Sequence, residues 1–225
     1  MIPDQPRRYE LKLVCDARYL DQARSWMRLH PAGLRVAYPP RRVNSLYFDT
    51  PGLGGLETNL QGVGVRNKLR LRWYGDALPE VLAVLELKHK DNLLGTKLHF
   101  PLPRTLDLSR PWIEILATLH DILPIQGQTL LKQINAPVLL NHYQREYYVT
   151  PDDAVRVTLD YDQRAYDQRL TPRPNLDAPL LLEDVVIIEV KADGAQEEQV
   201  REVIRHFPLP RSRNSKYVNG VLAAW

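Results

Sequence analysis

Lysine, arginine and glutamate recur at every second position in several stretches of this chain. Lys68, Arg70 and Arg72 alternate with Leu69, Leu71 and Trp73. Glu86, Lys88 and Lys90 alternate with Leu85, Leu87 and His89, and Lys97 and His99 flank Leu98. Arg145 sits between Tyr143 and Tyr147, and Glu189 and Lys191 alternate with Ile188 and Val190. Near the start, Arg8, Glu10 and Lys12 alternate with Tyr9, Leu11 and Leu13. A period of two places each charged set on one face of an extended strand. Cations gathered on shared faces suit a polyanion, because a guanidinium meets phosphate oxygens through two parallel hydrogen bonds. Glutamates interspersed among them suit a divalent cation that bridges phosphate oxygens. The bland alternative is a solvated polar face, which antiparallel sheets commonly have.

Other chemistries find little support. There is no GxxxxGK[ST] loop, no GxGxxG, no HExxH and no GxSxG elbow. The six histidines are scattered, and His89 and His99 read as structural or solvated. Gly62 and Gly64 read as a turn before the Lys68 strand. Nucleic-acid binding is disfavoured because Trp73 alternates away from Arg72, whereas stacking aromatics should share the cations' face. Net charge is only +3 over 225 residues. Cys15 is the single cysteine, so no disulfide framework forms within one chain. No apolar run approaches the ~18 residues of a membrane span, and the N-terminus lacks an apolar signal core. The expectation is a cytoplasmic chain without a membrane span.

The elements that must position these residues follow from the same periodicity. Strands are expected over 8–13, 43–49, 68–73, 84–90, 95–101, 139–149, 155–161 and 188–191. With few helices between them, they should pair antiparallel. Eight strands are enough to close a small barrel. Asp16 is placed to cap a helix reaching Leu29, with Leu20, Ala23 and Met27 on one face. Ser109 is a candidate cap for a helix with the stripe Ile113, Leu116 and Leu119. Residues 196–207 present Val200, Val203, Ile204 and Phe207, and residues 215–225 present Val218, Val221, Leu222 and Trp225. The fold expected is α+β: one domain over 1–225, a closed eight-stranded antiparallel β-barrel with flanking helices. Helices coating the apolar faces would leave the charged faces pointing inward, where cations need an anion.

Several motifs occur in a characteristic order: Arg8–Lys12 (RYELK), Ser45–Pro51 (SLYFDTP), Lys68–Gly75 (KLRLRWYG) and Glu86–Lys88 (ELK). Tyr143–Tyr148 (YQREYY), Arg156–Asp160 (RVTLD), Ile188–Lys191 (IEVK) and Ser215–Tyr217 (SKY) complete the series. In these the chain resembles the VTC domain, the catalytic domain of the vacuolar transporter chaperone complex and its bacterial relatives, within the triphosphate tunnel metalloenzymes that also include CYTH domains. The resemblance implies an eight-stranded tunnel. It also implies a polyphosphate polymerase that transfers the γ-phosphate of ATP to a growing polyphosphate chain with Mn²⁺ or Mg²⁺. By position it implies a basic lining of Lys12, Arg70, Arg72, Lys88, Lys97 and Arg145, and a C-terminal basic pair, Arg213 and Lys216. Lys191 joins the expected phosphate contacts. Glu189 is the implied metal ligand, with Glu10 beside it. Hydrolysing relatives open with Glu-x-Glu-x-Lys; here Arg8 takes the first position, which favours the polymerase over triphosphate or tripolyphosphate hydrolysis. A non-catalytic polyphosphate-binding module is the remaining alternative.

Overall fold

The computed structural model of the chain describes residues 8–91 and 94–225; of Arg8, Asp91, Leu94 and Gly95 only the backbone is described. The N-terminal stretch read above for a signal core, and the Arg8 side chain, therefore lie outside the described residues. The described residues open with β1 (Arg8–Asp16), a 3-10 turn (Ala17–Tyr19), α1 (Leu20–Arg28), β2 (Arg35–Asp49) and α2 (Gly54–Leu60). There follow β3 (Val65–Tyr74), the short β4 (Glu80–Val81), β5 (Val84–Asp91), β6 (Leu94–Pro101) and the short β7 (Leu106–Asp107). Then come α3 (Trp112–Ile122), α4 (Ile125–Gln133), β8 (Ala136–Val149), β9 (Val155–Asp167), β10 (Val185–Asp193), α5 (Glu197–Arg205) and α6 (Lys216–Leu222).

Eight strands form one sheet in the order β1-β10-β9-β8-β2-β3-β5-β6, while β4 and β7 pair separately. All eight expected strands are in it. The expected closure is not: among the described residues β1 and β6 are unpaired with each other, so the sheet has two edges and is not a barrel. A local reason lies on β1. Its outer edge is met by the segment after α5, through a Leu13–Arg211 bridge and a 2.8 Å bond from the Ser212 N–H to the Lys12 carbonyl. A covering segment protects a sheet edge as closure would.

The chain groups into two compact units. The first comprises residues 1–42, 143–163 and 183–215, the second residues 43–142, 164–182 and 216–225. In the first, Leu13, Val157, Leu159, Ile188 and Val190 pack with Ala23 and Met27 of α1 and Val200, Val203 and Ile204 of α5. In the second, Leu46, Leu69, Leu71, Trp73, Leu85 and Leu87 pack with Trp112, Ile115 and Leu119 of α3 and Leu131 of α4. In each unit helices therefore cover the apolar strand face, as the alternation requires, and the charged residues occupy the other.

Two helix readings need correction. The cap of α3 is Pro111, not Ser109, and its buried side is Trp112, Ile115 and Leu119, with Ile113 exposed. The cap lies two residues beyond Ser109, and the face packed on the core carries Trp112 and Ile115, with Leu116 partly buried beside them. In α6 the buried residues are Tyr217, Gly220 and Val221, and Leu222 and Trp225 are exposed. Asp16 caps as expected, accepting the Arg18 N–H at 2.9 Å, but on the 3-10 turn before α1.

Candidate functional site

In the second unit the antiparallel register aligns side chains in rows across β2, β3, β5 and β6. One row is Ser45, Arg72 and Val84; the next is Tyr47, Arg70, Glu86 and His99; the third is Lys68, Lys88 and Lys97. Five lysines and arginines thus share three adjacent rows with one carboxylate, Glu86. Glu86 fixes the arginines: Arg70 donates Nε at 2.8 Å and Nη2 at 2.6 Å to its Oε2, and Arg72 Nη1 stands 3.9 Å from the same oxygen. Arg70 Nη1 also donates to the Tyr47 hydroxyl at 3.3 Å, and Arg72 donates to Ser45 Oγ at 3.4 Å. Such bonds preset the planar forks, so less ordering remains to be done when an anion arrives.

The electrostatics follow. Burial alone would raise the Glu86 carboxyl, but Arg70, Arg72 and Lys97 hold it below its ordinary value. Burial would also raise the Tyr47 phenol, yet Arg70, Arg72, the bond from Arg70 and Lys68 bring it down to about 8. A buried phenol displaced downward marks a strongly positive surrounding.

In the first unit a second charged cluster spans β1, β10, β9 and β8. Lys12 pairs in register with Glu189, and Glu10 with Lys191. Glu189 is buried and receives Lys191 Nζ at 2.6 Å, Arg145 Nη2 at 3.4 Å and Lys12 Nζ at 3.7 Å. Burial pushes its carboxyl up, but Lys191, Lys12 and Arg145 outweigh this and hold it well below the usual range. Arg145 grips the buried Asp160 with both prongs, at 2.6 and 2.7 Å, and lies 5.2 Å from the centre of the Tyr143 ring. Lys12 also donates to the Asn214 carbonyl at 2.8 Å. Since Ser212 binds the Lys12 backbone, the exposed Arg213 is held between two residues tied to Lys12.

The expected residues therefore gather in two sets. Arg70, Arg72, Lys88 and Lys97 share the rows of the second unit; Glu10, Lys12, Arg145, Glu189 and Lys191 share the cluster of the first, with Arg213 beside Lys12. Lys216 opens α6 in the second unit, half-buried. Sequence reasoning did not assign Ser45, Tyr47, Lys68, Glu86 or Asp160 to a site. All five share the strand parity of the cations, so the same alternation carried the signal.

For a metal, the acids of the first unit set the terms. Among the described residues no three His, Cys, Asp or Glu side chains group as a ready-made cation cage. Glu10 and Glu189 share Lys12, at 3.8 and 3.7 Å. One or two carboxylates, with phosphate oxygens and water completing the shell, is how Mg²⁺ is ordinarily held. Glu10 and Glu189 supply at most that number of carboxylates, and the Glu189 oxygens also face Lys191, Arg145 and Lys12.

Trp73 is buried in the core behind Arg72, so it offers no stacking platform beside the cations. No helix among the described residues is long and apolar enough to cross a membrane.

Comparison with known proteins agrees with the motifs. No curated protein matches the sequence significantly. Among solved structures, a candidate adenylate cyclase from Vibrio parahaemolyticus covers 94% of this chain and 96% of its own, at 13% identity and a TM-score of 0.49. The family model of the VTC domain matches residues 7–225, from the first charged strand to the last residue, and the chain belongs to the VTC domain family.

Proposed function

We propose that this chain is a phosphotransferase of the polyphosphate polymerase type, moving the γ-phosphoryl group of ATP onto a polyphosphate chain. The observation that carries the reading is the set of three adjacent rows in which Arg70, Arg72, Lys68, Lys88 and Lys97 face Glu86. An excess of preset cations is what phosphoryl transfer asks of a protein, because the reaction needs positioning and charge neutralisation more than covalent chemistry.

In the second unit Arg70, Arg72 and Lys88 bind phosphate oxygens and offset the negative charge spread over the transferring group; in the first, Arg145 binds phosphate oxygens. Lys12, Lys97, Lys191, Arg213 and Lys216 contribute further phosphate contacts. Glu86 and Asp160 hold the forks of Arg70 and Arg145 in place. A terminal oxygen of the acceptor chain forms the new bond to the γ-phosphorus as the bond to the β–γ bridging oxygen breaks, and ADP leaves. Glu189, with Glu10, would hold Mn²⁺ or Mg²⁺, which supplies charge neutralisation on phosphate oxygens when bound.

The test is product analysis. Purified protein incubated with ATP and Mn²⁺ should yield a ladder of phosphate polymers on a gel, together with ADP. Orthophosphate as the only phosphate product would make it a hydrolase, and saturable binding without turnover would make it a binding module.

A further inference from the structure

The β2–β3 ladder ends at the Phe48–Leu69 pair. Next to that end lies a cleft of about 310 Å³, whose wall includes Tyr47, Asp49, Thr58, Asn67, Lys68 and Tyr217. Its size falls at the lower end of small-molecule sites, about 300–1,000 Å³. Its chemistry is not that of a second polyphosphate site. Among the described residues, Lys68 is the one lysine or arginine in the wall. The Asp49 carboxylate is already engaged by the N–H groups of Thr50, Gly55 and Leu56 and by the Tyr217 hydroxyl.

What the wall offers is two tyrosine rings with centroids 5.2 Å apart, with an amide from Asn67 and a hydroxyl from Thr58. Lys68 Nζ stands 5.8 Å from the centre of the Tyr217 ring. Lys68 also heads the Lys68–Lys88–Lys97 row, so the cleft and the row share one residue. A neutral planar group with a hydrogen-bonding rim suits such a wall. A tail of phosphates on that group suits the row.

We propose that this cleft is the nucleoside subsite of a nucleoside triphosphate whose phosphates run from Lys68 along the lysine row. The inference rests on the phosphate-binding reading above. The test is calorimetric titration of the full chain with ATP and, separately, with tripolyphosphate, both without divalent metal. Val65 lines the cleft and is about half exposed, at 51%, so Val65→Trp adds bulk there without entering the core. Thr58→Trp does so from α2.

Each variant should weaken ATP by roughly tenfold or more, equivalent to ~1.4 kcal/mol, while changing tripolyphosphate by less than about twofold. Retained tripolyphosphate binding also reports that each variant is folded. If neither variant weakens ATP, or if both ligands weaken alike, the subsite is wrong while the phosphate reading stands. If the wild-type chain binds neither ligand, the phosphate reading fails and the subsite with it.

Discussion

Tyr47 senses the cations around it. Its phenol lies at about 8 because Arg70, Arg72 and Lys68 outweigh the effect of burial. An anion that neutralises those cations must raise it again. Spectrophotometric titration near 295 nm should show one tyrosine ionising about two units below the ordinary value near 10. That transition should vanish in Tyr47→Phe and move upward when tripolyphosphate is added. The arginines make a complementary prediction. Arg72→Ala should lower ATP turnover by about 10²–10³-fold, the usual cost of removing a preset transition-state donor. Its melting temperature should hold within a few degrees, because the change removes one of several like charges. At this scale the sequence was informative about which residues share a face, since alternation alone groups Lys68, Arg70 and Arg72. It was silent on partners. That Glu86 serves Arg70, and Asp160 serves Arg145, depends on inter-strand register, which alternation within one strand does not encode.

Among the elements, the short helix α2 and the last helix α6 are fastened by one side chain. Asp49, buried at the end of β2, accepts the N–H groups of Thr50 at 2.7 Å, Gly55 at 2.8 Å and Leu56 at 3.0 Å, and the Tyr217 hydroxyl. Gly55 is required there, because a Cβ would stand 2.8 Å from Asp49 Oδ1. Asp49→Ala leaves several buried donors without their acceptor and should destabilise by about 3–5 kcal/mol, read as a lower denaturation midpoint. Tyr217→Phe removes one of those bonds and should cost about 1.5–3 kcal/mol. In α6, a Cβ at Gly220 would lie 2.5 Å from Leu139 Cδ2; Leu139 is fully buried, so Gly220→Ala should destabilise by about 1–3 kcal/mol through overpacking. Neither α2 nor α4 was read from the sequence. The first has seven residues and begins with two glycines. The second has a weak apolar stripe and no side-chain cap. Both are held by packing and, for α2, by a capping acid five residues upstream, which periodicity does not register.

For the whole molecule, stability should depend on pH through His30. This ring is buried; its Nε2 pairs with the Val203 carbonyl at 2.9 Å and its Nδ1 accepts the Ala32 N–H at 3.1 Å. Burial is the main cause that holds it below its ordinary value; the bond to the Val203 carbonyl opposes it, His206 adds to the effect and Glu202 opposes it. In the unfolded chain the ring takes its proton near pH 6.5. Between that value and the lower folded one the unfolded state binds more protons, so the stability present above about pH 6.5 is lost as pH falls. Thermal melts between pH 7.5 and 5 should show this decline, and His30→Gln should flatten it. The architecture as a whole was legible in its strands and in the covering of apolar faces by helices. Closure was not, because whether the edge of β1 meets another strand or the Arg211–Ser212 segment is settled by contacts far apart in sequence. On the charged face of the second unit cations outnumber acids, five to one in the three rows around Glu86. Calorimetric titration with a defined medium-length polyphosphate, wild type against Arg70→Ala/Arg72→Ala, measures that directly. The account predicts saturable binding by the wild type, weakened at least about a hundredfold in the double variant; equal affinity in both, or no binding by the wild type, would contradict it.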